Sequence, residues 1–172
     1  MPLRPQDVLV ALKLCVDSTR RSYSELAREL GLSASEVHAA VGRLGEADLV
    51  DPETKVVQRG ALQEFLVHGV PYAFPVKPLG VVRGVPTGSA ASILSGRLGA
   101  AGELPPVWPD SEGNVLGARV TPLYPTVPRA ARRDPALYAL LALVDSLRLS
   151  KRHARGSAAA DLNSRLQAAA GG

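Results

Sequence analysis

Residues 23–50, YSELARELGLSASEVHAAVGRLGEADLV, constrain the fold more than any other stretch of this chain. Apolar side chains recur there at helical spacing in two short runs. Between the runs stands a glycine, which is common where a helix ends and the chain must turn. The stretch therefore predicts two short helices joined by a tight turn, and their buried stripes are Leu26, Ala27 and Leu30, then Val37, Val41 and Leu44.

The turn between these helices carries its own local signals. Gly31 directly follows Leu30, and Leu32 fills the corner between the helices. Ser33 is a favourable N-cap, and Glu36 three residues later completes a capping box. These residues predict that the second helix begins just after Ser33.

A small hairpin is expected after the second helix. Leu49 and Val50 begin an extended segment. The tetrad from Asp51 to Thr54, DPET, is rich in turn formers, and residues 55–57, KVV, resume the extended pattern. Two short strands around this turn would form a wing.

The pattern resembles the winged helix-turn-helix of bacterial regulators of the MarR and Lrp types. The likeness covers roughly residues 5–68. It implies a mainly α fold with a small β wing, and a second helix that lies in the major groove of DNA. Winged helices also serve as protein-docking modules. The matching residues are Glu25-Leu26-Ala27, Leu30-Gly31-Leu32-Ser33, Val37, Val41, Arg43-Leu44 and Leu49-Val50.

The chain divides into three regions by composition. Residues 1–70 form the expected winged helix-turn-helix domain, with supporting helices over 5–18 and 61–69. Residues 71–128 hold ten of the fourteen prolines, so long helices are excluded and an irregular wrapping segment is expected. Short extended pieces are expected there at 72–74, 81–82 and 115–124. Residues 129–172 form a basic helical region for dimerisation or docking.

The clearest helix of the C-terminal region begins at Asp134-Pro135. Aspartate is a good N-cap, and proline is favoured at the first helical position. The helix has a wide apolar face that suits burial against the winged domain or against a second copy. A further helix is expected over residues 151–169, where Gly156 is a weak point.

Several functional classes have no signature in the sequence. The single Cys15 excludes an intramolecular disulfide and a cysteine-cluster metal site. His38, His68 and His153 lack partners at metal-ligand spacing, and neither a phosphate loop nor a nucleophile elbow is present. We therefore expect no enzyme, no cofactor and no metal. No apolar run spans a membrane, and Lys13 interrupts the opening apolar stretch, so a cytoplasmic protein is expected.

The positive charge is unevenly distributed. The net charge is +4, but residues 1–70 hold eight Lys/Arg and ten Asp/Glu. Residues 129–172 hold eight Lys/Arg and three Asp/Glu. Either the C-terminal region folds beside a DNA-reading surface, or it has its own partner.

The expected DNA contacts lie in three groups. On the second helix, side chains turned outward could reach base edges, and small ones permit close approach to the groove. Basic residues could meet phosphates at three places: just before the helix that begins at residue 23, on the wing, and at the basic junction near residue 150. The predicted contacts are Arg20, Arg21, Ser33, Ser35, His38, Ala39, Arg43, Lys55, Arg59, Arg148, Lys151, Arg152 and Arg155.

Two functions follow from this pattern. The first is a sequence-specific DNA-binding transcriptional regulator that reads an inverted repeat as a homodimer, because one copy presents little positive charge. The second is a protein-interaction module, such as an antitoxin or partner-docking subunit, which could also repress its own operon. The near-neutral to acidic N-terminal region favours the second function.

Overall fold

The computed structural model describes residues 1–17, 21–94 and 103–170. The mainly α prediction is confirmed, and a small three-stranded sheet accompanies the helices. The described residues form eight α-helices: α1 (Pro5–Val16), α2 (Tyr23–Leu30), α3 (Ala34–Glu46), α4 (Arg59–His68), α5 (Val70–Ala73), α6 (Val127–Arg133), α7 (Pro135–Leu149) and α8 (Gly156–Ala170). The strands are β1 (Val81–Pro86), β2 (Pro106–Pro109) and β3 (Val115–Arg119).

Local capping fixes the bounds of α2 and α3. Ser22 and Ser33 each accept a hydrogen bond from the backbone N–H three residues on, and the glutamate at that position accepts one from the serine N–H. Gly31 ends α2 with a φ of 70°, in the left-handed region that favours glycine. Both helices pack on each other and on α1. The predicted helix, turn and helix over residues 23–46 are confirmed.

The predicted wing is shorter than expected. Val50 and Val57 form a single antiparallel bridge, with Asp51 N–H donating to the Val56 carbonyl at 2.8 Å. Lys55 stands in the turn with a φ of 61°. Helix α4 begins at Arg59, only two residues after the bridge, and therefore leaves no room for a longer ladder.

The strands lie in the proline-rich region, where the extended pieces predicted at 81–82 and 115–124 are confirmed in part by β1 and β3. Strand β1 runs antiparallel to both β2 and β3, while β2 and β3 pair in parallel, so the sheet closes on itself as a small barrel. This closure needs close backbone contact, since a β-carbon on Gly84 would lie 1.8 Å from the Trp108 carbonyl oxygen. The prediction of extended backbone at 72–74 is wrong, because Val70–Ala73 is helical.

Helix α7 is the centre of the molecule. It packs against α1, α4, α5, α6 and α8, and its apolar face is buried within the same chain. One hydrophobic core draws side chains from all three predicted regions. The predicted borders at 70/71 and 128/129 fall inside α5 and α6. Of the two partners expected for the apolar face of α7, the winged domain or a second copy, it is helices of the same chain, α1 and α4 among them, that cover it.

A buried polar network joins α7 to the sheet region. Thr87 Oγ1 and Trp108 Nε1 donate to Oδ2 of Asp145 at 2.7 and 2.6 Å. Arg148 Nη1 donates to Oδ1 of the same carboxylate at 2.8 Å, and its Nε donates to the Phe74 carbonyl at 2.8 Å. Burial raises the pKa of Asp145, whereas the Arg148 charge and the three hydrogen bonds act in the opposite direction.

Replacing Asp145 with alanine is expected to destabilise the fold by about 3–5 kcal/mol, because Arg148 would stay buried without its counter-charge. Urea unfolding of both proteins measures the difference. Asp161→Ala is the matched control, since its ion pair with Arg165 on α8 is half-exposed and should contribute less than about 1 kcal/mol. Equal destabilisation of the two variants would contradict a structural role for the buried network.

Candidate nucleic-acid interface

The outer face of α3 is open to solvent. Ser35, His38 and Ala39 are exposed, while Val37 and Val41 on the opposite side are buried. A β-carbon built on Gly42 would meet no atom of the described chain within 4 Å. The face therefore offers two hydrogen-bonding side chains among small ones, a shape that permits close approach of another backbone.

The start of α3 is held by its capping box. Ser33 Oγ accepts from the Glu36 N–H at 3.1 Å, and the Ser33 N–H donates to Glu36 Oε2 at 2.8 Å. These bonds lower the pKa of Glu36, and Tyr124 Oη donates to Oε1 of the same carboxylate at 3.3 Å. The Ser33 hydroxyl, a predicted DNA contact, is thus engaged in the cap, and Ser35 Oγ lies on the exposed face within hydrogen-bond distance of it, at 3.1 Å.

Arg43 does not lie on the outer face, and its predicted DNA contact is corrected. Its guanidinium is buried and makes two hydrogen bonds to Asp7 of α1, from Nε at 2.8 Å and from Nη2 at 2.7 Å. The same Asp7 accepts from the Arg4 N–H at 2.8 Å. This bidentate pair joins the end of α3 to the start of α1, so Arg43 is a structural residue.

Tyr23 at the start of α2 and Lys55 in the hairpin form a cluster beside His38 on the open face. The Tyr23 ring meets the His38 ring edge-on, with centroids 5.1 Å apart. Lys55 Nζ, from the hairpin, lies 4.8 Å from the Tyr23 ring centroid and donates to the Arg21 carbonyl. Sequence reasoning missed Tyr23; the signal was an aromatic residue at the first position of α2, outside the apolar stripe. The cluster brings two helices and the hairpin together at His38.

Two other predicted DNA contacts in the N-terminal region, Arg21 and Arg59, bind other groups of the protein. Arg21 forms ion pairs with Asp17 and Glu29. Arg20 lies outside the described residues. Arg59, predicted as a wing contact, is the first residue of α4 and is half-buried; it donates to the carbonyls of Leu166 and Cys15 at 2.8 and 3.1 Å. Its prediction is corrected because it joins α4 to α8 and α1.

The basic junction consists of Arg148, Lys151, Arg152 and Arg155, and only two of these side chains are exposed. Arg148 is buried against Asp145, and Arg155 donates to the Leu147 and Ser150 carbonyls at 2.9 and 3.1 Å. The DNA contacts predicted for these two arginines are corrected, since Arg148 joins α7 to the Phe74 carbonyl and Arg155 holds the α7–α8 connection together. Lys151 and Arg152 are exposed in that connection.

Helix α6 packs against the α2–α3 turn, a contact that the sequence did not predict. A β-carbon on Gly31 would lie 2.8 Å from Arg129 Nη2 and 3.0 Å from Thr126 Cγ2. The α2–α3 turn therefore lies directly against the start of α6, although the two are far apart in the sequence. No local pattern indicates such a contact, because it depends on how α7 folds back across α1.

The opposite end of α3 is acidic. Asp48, Asp51 and Glu53 line an open groove between that end, the hairpin and the start of α4. Glu46 pairs with the N-terminal amine. A polyanion would therefore meet less repulsion at the start of α3 than at its end.

Arg43→Ala is expected to destabilise the protein by about 3–5 kcal/mol, because Asp7 would remain buried as an unpaired carboxylate. Thermal or urea unfolding measures this change. Arg28→Ala, an exposed arginine on α2, should change stability by about 0.5 kcal/mol or less. A fully stable Arg43→Ala protein would show that the pair is not structural.

Neither a metal centre nor a membrane span is found in the described part of the chain. Its His, Cys, Asp and Glu side chains form no group that could hold a metal ion. Its helices are too short or too polar to cross a bilayer. Comparison with known proteins finds no matching family model, no matching curated protein and no matching solved structure.

Proposed function

We propose that α1–α3 and the short hairpin form a winged helix-turn-helix, and that the protein is a sequence-specific DNA-binding transcriptional regulator. The observation that carries this proposal is the open outer face of α3, which starts at a capped turn and is lined by small and hydrogen-bonding side chains. A helix presented in this way can enter the major groove of a duplex.

The contacts on this face divide by chemistry. Ser35 and His38 can donate to base acceptors, and Ala39 can meet a thymine methyl group. Tyr23 and Lys55 flank His38, where a hydroxyl and an ammonium can bind the phosphate backbone. The proposal thus separates residues that select a sequence from residues that hold the duplex in register.

We also propose that two copies act together on an inverted repeat. The exposed part of α3 is short, so a single copy would contact few base pairs, and a two-fold dimer would double the contact. Half-sites about 10 base pairs apart, on one side of the duplex, are the spacing that this arrangement requires.

Selection of bound duplexes from a random pool tests the function. We expect one enriched motif, and we expect Ser35→Ala and His38→Ala each to weaken binding to it by roughly ten- to a hundredfold, since each removes a base contact. Ser164→Ala on α8 and His68→Ala on α4 are controls of the same residue types at exposed positions. Absence of any enriched motif, or effects equal to those of the controls, would contradict the proposal.

A protein-docking function is favoured by a different surface. On the sheet, Val81 and Leu116 are 54% and 62% exposed. Val81 pairs with Ala118, and Leu116 pairs with Arg83 two residues further along the same two strands, so the apolar side chains share one face. Such a face can bind the product of a neighbouring gene, as in an antitoxin that also represses its own operon.

Val81→Ser with Leu116→Ser tests this second function. If the sheet docks a protein encoded beside this one, co-expression and purification should recover the complex with the wild-type chain and not with the variant. Duplex binding should be unaffected by the same changes. Recovery of the complex by the variant would exclude the sheet as the docking surface.

A further inference from the structure

Three exposed arginines lie where α6 meets α2: Arg28 on α2, and Arg129 and Arg133 on α6. We name this set the α6 strip. Arg133 Nη1 donates to the Arg28 carbonyl at 3.3 Å, and Arg129 Nη2 lies against Gly31 in the turn that leads into α3. The strip therefore borders the end of α3 at which Ser33 caps the helix.

In the part of the chain that the structure describes, the arginines of the strip have acidic neighbours but no direct ion pair. Hydrogen bonding with Ser22 and the Arg28 charge help to lower the pKa of Glu25, and Arg133 lines a pocket with Glu29 and Asp134. Within the described residues, no salt bridge joins any of its three guanidinium groups to a carboxylate. Neighbouring cations differ in this respect. Lys13 contacts Glu29 and Asp134, and Arg132 contacts Asp110 and Glu112.

The position of the strip also suits a polyanion. The other end of α3 carries the acidic groove at Asp48, Asp51 and Glu53, so the two ends of the helix differ in charge. At the start of α3 the Glu36 carboxylate accepts from the Ser33 N–H and from Tyr124 Oη, so the positive charge at this end comes from the three arginines of the strip. A phosphate chain passing across the start of α3 would therefore run toward α6 and not toward the hairpin groove.

We infer that the α6 strip binds the phosphate backbone of the duplex beside the groove that α3 enters. This inference rests on the proposed DNA-binding function and extends it to the C-terminal region. Guanidinium groups bind phosphate oxygens through paired N–H donors, and each phosphate contact releases condensed counterions from the duplex. The strip thus contributes affinity and register, while Ser35 and His38 on α3 select the sequence.

The salt dependence of duplex binding tests the inference without knowledge of the operator. Binding of the full chain to a fluorescent duplex of arbitrary sequence, about 24 base pairs long so that it spans two half-sites, is followed by anisotropy over a salt series. The triple variant Arg28→Gln, Arg129→Gln, Arg133→Gln should reduce the slope of log K against log salt by roughly 2–3, because each neutralised phosphate contributes about 0.9 to that slope. The single variants Arg28→Gln and Arg129→Gln should each reduce it by about one.

A charge-matched control separates local contact from general electrostatics. Lys77→Gln, Arg83→Gln, Arg119→Gln removes three exposed cations from β1, β3 and the loop before them, and it lowers the net charge by the same amount. This variant should keep the wild-type slope. Equal reductions in both triple variants would overturn the inference in favour of a diffuse charge effect.

The remaining outcomes separate this inference from the function on which it rests. A wild-type chain that binds neither the arbitrary duplex nor any selected one would overturn both. A wild-type chain that binds a selected motif through His38, with a salt slope unchanged in the strip variants, would overturn the strip alone. Should the triple variant melt below the wild type, the two single variants carry the same test.

Discussion

The buried carboxylate of Asp145 is the group on which the arrangement of this chain depends. It accepts hydrogen bonds from Thr87, Trp108 and Arg148, and Arg148 in turn holds the Phe74 carbonyl. A buried charge is costly unless every partner is in place. These bonds hold the proline-rich region on α7, although that region lacks long helices of its own.

The packing around α7 explains how distant parts of the chain reach one surface. Because α7 crosses α1, its N-terminal neighbour α6 is carried against α2 and the turn at Gly31. Lys13 reinforces the arrangement through its contact with Asp134, the N-cap of α7. The C-terminal region thus lies beside the α2–α3 turn. The charge distribution leaves two alternatives, a C-terminal region folded beside the proposed DNA-reading surface or one with its own partner. The contact with the turn is made by α6 and not by the basic junction.

The parts of the fold that could be predicted are those with local causes. Helices α2 and α3 follow from Ser22, Ser33 and Gly31, each of which acts within a few residues. The role of Arg43 could not be read in this way, because its burial depends on Asp7, 36 positions earlier in the chain. Lys151 and Arg155 have the same charge and nearly the same place in the sequence, yet Arg155 meets two carbonyls and the Tyr72 ring whereas Lys151 is exposed. The closed sheet could not be predicted from the sequence either, because its strand pairings join segments that are separated by turns and prolines.

The central claim, that the outer face of α3 enters the groove of a duplex, is tested most directly by a cleavage reagent placed on that face. Burial raises the pKa of the Cys15 thiol to about 11, so a cysteine introduced at Ala39 would be the reactive one. An iron–EDTA group attached there should cut the selected duplex at a few positions within the enriched motif. Scattered cutting, no stronger than that from the same group at Asn163→Cys on α8, would contradict the account.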